Sequence, residues 1–289
     1  MEVDTQFLEE FEEQLDPLRP EKSPIPAKLM GVGRLSNTYQ ILEEGQELIL
    51  YTRMPFFDTL PRMDAYEKLY IRHNQQLKEI GLDLPEYGST RIQKKGGQTV
   101  LYLFRKRQPP TATAVGIISR VTNAECFALA RQILREINKV WKFNIKNRSR
   151  LEVSIDGRLS NWSVPGMVSA TSKVDAKTEL QYVPDGTPLM RENETELLDP
   201  ELFFLRAIEV VKPIMKRRHL RDVLARFYDM RRICIDMLAD FMRARSNIFS
   251  GVVDVANQFL SEEAAVERLL SITPEEVMQY TADAFSWKL

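Results

Sequence analysis

An aspartate and an asparagine five positions apart, Asp156 and Asn161, have the residue types and spacing best suited to catalysis in this chain. The alternating apolar run 151–155 predicts a short strand that ends at Asp156. Gly157 then favours a turn, and the chain becomes extended again at Asn161. Such a turn can direct a base and an oxygen ligand for phosphate-bound magnesium into one cleft. An ordinary Asp-Gly hairpin explains the same residues, so that alternative stays open.

Three further features have chemistry that suits phosphate or metal. Gly31 and Gly33 precede Ser36 and Asn37, and glycine amides approach phosphates closely because no Cβ intervenes. A plain β-turn is the alternative there. Asp185 offers a second carboxylate, in a Pro-Asp-Gly-Thr-Pro run that is also a turn signature. The pentapeptide Gly-Arg-Leu-Ser-Asn occurs at 33–37 and at 157–161, which sets an arginine beside each proposed phosphate site.

Length and composition exclude several classes of protein. The chain has 289 residues, 44% hydrophobic and 28% charged, which is typical of a globular protein with a large core. Its net charge of −1 gives no global attraction for nucleic acid or anionic membranes. No apolar run reaches the length of a membrane span, and acidic residues rather than a signal peptide follow Met1. Cys126 and Cys234 form no disulfide framework, so we expect a cytoplasmic protein.

Hydrophobic periodicity predicts an α+β chain with two lobes. Residues 1–106 are expected to form a small β-rich lobe. It consists of an acidic amphipathic helix within 1–16, strands at 38–42 and 47–53, a helix at 63–80, and strands at 91–93 and 99–104. The charged, proline-ended run 105–110 is the expected hinge. Residues 107–289 are expected to form a larger, mainly helical lobe that carries the Asp156 turn, with a helix N-cap at Asn123.

These features together resemble the superfamily of protein kinases, aminoglycoside phosphotransferases and choline kinases. Residues 31–39 lie where that family has its nucleotide-covering loop, and Asp156 and Asn161 have the spacing of its catalytic-loop aspartate and metal-binding asparagine. The resemblance implies a two-lobed kinase-like fold with ATP and Mg²⁺ as cofactors. It implies that Asp156 is catalytic, that Asn161 and Asp185 hold the metal, and that the nucleotide is bound by Gly31, Gly33, Ser36 and Asn37.

The chain departs from the family pattern at the residue that should grip the phosphates. The family's lysine position is occupied by Thr52, and the adjacent Arg53 points to the opposite strand face unless a bulge reverses it. The expected helix partner of such a cation is Glu67, which is equally consistent with a solvated surface residue. Ser154 replaces the family's histidine before the catalytic aspartate. These changes weaken the case for catalysis more than the case for the fold.

Three functions follow from these observations. The first is an ATP- and magnesium-dependent phosphotransferase that acts on a small hydroxylated molecule. The second, favoured by Thr52, is an inactive kinase-like scaffold (a pseudokinase) that binds a nucleotide, a metabolite or a protein partner. The third is a kinase fold that performs another nucleotidyl-type chemistry. Retention of Asp156, Asn161 and Asp185 favours the enzyme. Aspartates interleave with the basic residues of 216–232, which favours intrahelical pairing over nucleic-acid binding. The sequence does not determine the oligomeric state.

Overall fold

A five-stranded antiparallel sheet forms the N-terminal part of the computed structural model, which describes residues 1–33, 36–167, 173–204, 223–264 and 269–286. The strand order is β1-β2-β3-β5-β4, with helix α2 between β3 and β4. The strands are β1 Ala27–Val32, β2 Asn37–Ile41, β3 Ile49–Met54, β4 Tyr87–Gln93 and β5 Thr99–Lys106. The predicted strands are present. Strand β1, which carries Gly31, was not predicted.

Strand β1 escapes sequence prediction because it lies at the sheet edge. Only Ala27 is buried, and the five following residues are exposed, so the strand has no apolar alternation. It pairs with β2 in antiparallel register, with an irregularity between Leu29 and Gly31. Pairing of this kind depends on backbone groups of β2 rather than on β1 side chains.

The predicted acidic helix is α1, Thr5–Gln14. Asp4 caps its N-terminus, because the Asp4 side chain accepts a hydrogen bond from the Phe7 amide at 3.1 Å. Its apolar residues Leu8 and Phe11 are fully buried against one face of the sheet. The helix therefore forms a layer over the sheet, on the side away from the second lobe.

A buried ion pair fixes α1 to the sheet. Glu12 accepts two hydrogen bonds from the Arg53 guanidinium, both at 2.6 Å, and one from the Tyr102 hydroxyl. Lys94 Nζ lies 3.2 Å from the same carboxylate. Burial alone would raise the pKa of Glu12, but the hydrogen bonds from Arg53 and Tyr102 outweigh burial, so this pKa lies below its usual value.

Helix α2, Leu60–Ile80, crosses the opposite face of the sheet. It begins after Thr59, with a proline in its first turn, three residues earlier than predicted. It ends at Gly81, whose φ of +100° is the left-handed conformation that terminates helices, as predicted. The helix thus lies between the sheet and the second lobe.

The C-terminal part is mainly helical, with two short sheets of two or three residues per strand inserted near its start. Its helices are α3 Ala114–Ile118, α4 Asn123–Lys146, α5 Met230–Ala244, α6 Phe249–Glu262 and α7 Pro274–Ser286. Its strands are β6 Leu151–Val153, β7 Trp162–Ser163, β8 Gln181–Tyr182, β9 Met190–Glu192 and β10 Thr195–Glu196. Helix α4 is capped by Thr122, in a capping box with Glu125, rather than by Asn123.

The architecture confirms the predicted α+β fold, with a β-rich lobe followed by a helical lobe. The division at residue 106 stays a prediction, because a single apolar core runs from α2 and β5 into the helices of the second part. Over the described residues, no helix combines the length and hydropathy needed to cross a bilayer.

Candidate functional site

The Asp156 turn is not a hairpin. Strand β6, before the turn, pairs with β9, whereas β7, after it, pairs with β8. The loop 154–161 therefore connects two separate sheets, and the hairpin alternative is wrong. We call the region bounded by this loop, the Asp185 segment and the sheet face that carries Leu103 the cleft. Because the loop is not part of either sheet, its side chains can point into this region.

Asp156 and Asp185 converge on one arginine. Arg158 donates from Nε to Asp156 Oδ2 at 2.7 Å, and its Nη2 lies 2.5 Å from that oxygen and 3.1 Å from Asp185 Oδ2. Since both carboxylates contact the same nitrogen, their oxygens lie within about 6 Å of each other. Asp156, the predicted catalytic residue, and Asp185, a predicted metal ligand, are thus neighbours, although 29 positions separate them in the chain.

Asn161 completes the turn with a buried side chain that is largely unused. Its Nδ2 has no hydrogen-bond partner among the described residues, and its Oδ1 has only a 3.4 Å contact from Ser160 Oγ. Its backbone carbonyl accepts from the Val183 amide at 2.7 Å, which holds the turn beside the segment that leads to Asp185. A buried amide with free hydrogen-bonding capacity is typical of a site that awaits a ligand.

Helix α5 supports the turn from below. A Cβ on Gly157 would lie 2.3 Å from the carbonyl oxygen of Ile233, so only glycine fits against this helix. The amide of Leu159 donates to Asp240 Oδ2 at 3.0 Å, again on α5. These contacts hold the backbone on both sides of Arg158.

Helix α2 contacts both halves of the site from the other side. Tyr66 donates its hydroxyl to the carbonyl of Gly186 at 2.7 Å, next to Asp185. His73 Nε2 lies 3.2 Å from the carbonyl oxygen and 3.3 Å from the hydroxyl of Ser154, two residues before Asp156. A histidine of a neighbouring helix thus contacts the loop two residues before Asp156.

The negative charge of Asp156 and Asp185 is only partly compensated by Arg158. Its enclosed position and the neighbouring Asp156 carboxylate raise the pKa of Asp185, and Arg158 and the Thr187 amide only partly oppose this. The Asp185 side chain nevertheless keeps 45% of its surface accessible, so a ligand can reach it. Two carboxylates thus share the one arginine that bridges them.

His73 predicts a pH dependence of stability. Burial lowers the pKa of His73 from 6.5 to about 4. The unfolded chain therefore binds this proton more readily, so stability is complete above pH 6.5 and falls as the pH drops towards 4. The expected loss is about 3 kcal/mol. Asp236 acts in the opposite direction, since burial raises its pKa to about 6.

Urea denaturation of wild type and His73→Gln at pH 7 and pH 4.5 measures the histidine contribution. We expect the variant to lose less stability than wild type between the two values, because glutamine has no proton to gain. An equal loss in both proteins would contradict the assignment to His73.

The predicted nucleotide loop is the tip of the β1–β2 hairpin. Gly33 donates its amide to the Ser36 carbonyl at 2.7 Å, whereas Arg34 and Leu35 lie outside the described residues. A Cβ on Gly31 would meet only Thr38, at 4.0 Å. Binding of phosphate by Gly31, Gly33, Ser36 and Asn37 stays a prediction. Asn37 donates to the Tyr39 hydroxyl at 3.2 Å.

Arg53 does not face the cleft. Strand β3 keeps a regular register with β2 and β5, so no bulge reverses Arg53, and its guanidinium is paired with Glu12 of α1. Thr52 has the cleft-facing orientation and shares a 3.0 Å hydrogen bond with Thr38. Glu67 pairs with Arg91 of β4. The structure therefore separates Arg53 and Glu67 from Asp156 and Asp185.

The donor set suits Mg²⁺ bound together with phosphate. A carboxylate and an amide oxygen are hard ligands of the kind this ion prefers, with water and phosphate oxygens completing its shell. Within the described ranges, no group of three or more His, Cys, Asp or Glu side chains could hold a metal alone. Asn161 and Asp185 would hold the ion, with Asp156 beside it, and Arg158 would have to release Asp185 first.

Sequence comparison gives no match to any protein-family model or curated protein. Two solved structures are similar to this chain at 11% sequence identity. WaaP in complex with acyl carrier protein has a TM-score of 0.36 over 81% of this chain and 89% of its own. The GDP complex of aminoglycoside 2'-phosphotransferase-IIIa has a TM-score of 0.38 over 89% of this chain and 98% of its own. The strand order and helix placement described above give the chain a two-lobed α+β architecture.

Proposed function

We propose that this protein transfers a phosphoryl group from ATP to a hydroxyl group of a small molecule. The observation that carries the proposal is the convergence of Asp156 and Asp185 on Arg158, beside the unused amide of Asn161. Phosphoryl transfer depends on positioning and charge neutralisation, and oxygen ligands around a cleft supply both. A cytoplasmic location accords with Cys126 and Cys234, which are both free and buried.

In this proposal Asp156 is the base. It accepts the proton of the acceptor hydroxyl while that oxygen forms a bond to the γ-phosphorus, and the bond from this phosphorus to the β–γ bridging oxygen breaks. ADP leaves, and the proton on Asp156 returns to water. A magnesium ion, when bound, neutralises charge on the phosphates. Arg158, once released from Asp185, keeps its contact with Asp156 and places a second positive charge nearby.

A specific observation favours the alternative, a kinase-like scaffold that binds a ligand without phosphoryl transfer. Arg158 already pairs with both carboxylates, and Thr52 supplies no charge on the cleft face of β3. Such a site can bind a nucleotide, a metabolite or a protein segment without metal. The two functions differ in whether binding depends on magnesium.

Thermal denaturation with ATP and Mg²⁺ distinguishes the two functions. At ligand concentrations about 100-fold above Kd, binding stabilises the folded state by about 2.7 kcal/mol. For a chain of this length, the corresponding shift is about 5 to 10 °C. We expect this shift in wild type and its loss in Asp185→Asn, because the variant replaces the charged carboxylate ligand of the metal with a neutral, weaker one.

The control is Asp254→Asn, which changes an exposed aspartate on α6. This variant should keep the full shift. A shift that persists without magnesium and in Asp185→Asn would instead identify the scaffold. If no nucleotide changed the melting temperature of wild type, both functions would be excluded in their nucleotide-binding form.

A further inference from the structure

An arginine on strand β5 lies on the cleft side of the sheet. Leu101 and Leu103 of this strand pack with α2 in the core shared by both lobes, whereas Tyr102 and Phe104 pack against α1. Because side chains alternate along a strand, Arg105 shares the cleft face with Leu103. It is paired in register with Leu50 of β3, two residues before Thr52.

The Asp185 segment lies against this same face. A Cβ on Gly186 would be 3.4 Å from Leu103 Cδ1, so the segment contacts the strand one side-chain pair away from Arg105. The Arg105 charge interacts with Tyr70 of α2 and with Asp185. Arg105 therefore lies on the sheet side of the cleft, and Asp185 lies opposite.

Among the residues that the structure describes, Arg105 is an arginine whose guanidinium has no hydrogen-bond or ion-pair partner. It is partly buried, and burial lowers the pKa of its guanidinium. Across the described residues, its guanidinium neither donates a hydrogen bond nor forms an ion pair. Guanidinium groups carry five N–H donors, and removing them from water without acceptors is unfavourable. An anion in the cleft would satisfy them.

Two other arginines among the described residues are already engaged. Arg53 is bound to Glu12 behind the sheet, and Arg158 is bound to Asp156 and Asp185. The polar side chain on the cleft face of β3 is that of Thr52, which is uncharged and hydrogen-bonded to Thr38. A ligand with several negative charges thus finds its free positive group on β5 rather than on β3.

We propose that Arg105 binds the phosphate chain of the nucleotide and supplies the charge that Thr52 cannot. The inference rests on the proposed function and names the group of the N-terminal lobe that holds its nucleotide. The planar fork of arginine suits bidentate contact with phosphate oxygens. Asp185, on the opposite side, favours a phosphate chain that enters with a divalent cation rather than a simple carboxylate.

Isothermal titration of wild type and Arg105→Gln with Mg-ATP, adenosine and inorganic tripolyphosphate tests the inference. Loss of charge-assisted hydrogen bonds should weaken ATP and tripolyphosphate binding about 10- to 100-fold. Adenosine affinity should be unchanged, because adenosine carries no phosphate. Arg105→Lys, which keeps the charge without the fork, should bind with intermediate affinity and gives a second variant if the glutamine protein is unstable.

Lys106→Ala is the matched control, since it removes the next cation along β5 from the opposite, exposed face. It should bind all three ligands as wild type does. Equal ATP affinity in wild type and Arg105→Gln, with turnover retained, would overturn the Arg105 assignment and leave the proposed function standing. If Arg105→Gln lost tripolyphosphate binding while wild type itself showed no turnover, the Arg105 assignment would be supported and the proposed phosphoryl transfer would be rejected. If wild type bound neither ATP nor tripolyphosphate, the Arg105 assignment would be overturned.

Discussion

Asp156→Asn should reduce phosphoryl transfer by about 100- to 10,000-fold, which is the usual contribution of a positioned general base. Asparagine has nearly the same shape, and its oxygen can still accept the 2.9 Å hydrogen bond from the Arg158 amide. The turn should therefore keep its conformation, while the group that accepts the hydroxyl proton is lost. The measurement is kcat for ATP-dependent phosphorylation of the acceptor, with ATP affinity determined in parallel.

The chain offers a closely matched control for this substitution. Asp175 is exposed, and its Oδ1 accepts a 2.8 Å hydrogen bond from the amide two residues later, as Asp156 does. Asp175→Asn thus makes the same chemical change in the same kind of turn and should leave kcat unchanged. Wild-type turnover by Asp156→Asn would remove Asp156 from the role of base.

Glu12→Ala should destabilise the protein by about 3 to 5 kcal/mol, because it leaves the Arg53 guanidinium buried without its counter-charge. Arg53 has only 8% of its surface exposed, so water cannot replace the two lost hydrogen bonds. Tyr102 would lose its acceptor as well. The change appears as a lower urea midpoint with an unchanged slope.

Two further variants separate the ion pair from helix α1 as a whole. Glu9→Ala alters an exposed position of the same helix and should change stability by less than about 0.5 kcal/mol. The double variant Glu12→Met with Arg53→Met removes both charges and should recover much of the lost stability. If Glu12→Ala were as stable as wild type, the Arg53 contact would not be what fixes α1.

Elements with strong periodicity could be predicted from the sequence, and the edge strand could not. Helices α1 and α2 bury a regular face, and α2 ends at a glycine, so both were predicted with small errors at their ends. Strand β1 exposes five of its six residues, which leaves no apolar pattern to detect. Its pairing with β2 is a backbone property that residue types do not encode.

The candidate site shows the same limit at the level of side chains. The residue types and spacing of Asp156 and Asn161 predicted a polar turn, and alternation along β3 predicted that Arg53 points away from Thr52. The meeting of Asp156 with Asp185 depends on how β6 and β7 pair with strands 20 to 40 residues away. The bridging role of Arg158, and the partner Glu12 that Arg53 finds 41 positions earlier, follow only from that tertiary arrangement.

Three side chains on one side of helix α2 contact different parts of the cleft. Tyr66, Tyr70 and His73 follow one another by four and three positions, so they project in nearly the same direction. The first holds the Gly186 carbonyl, the second lies beside Arg105, and the third contacts Ser154. Since a helix of 21 residues shifts as a stiff rod, sliding α2 would displace all three contacts together. A shift of α2 would thus act at once on the segments that carry Asp185, the proposed metal ligand, and Asp156, the proposed base, and on Arg105, so a compound bound beneath this helix should disturb all three positions.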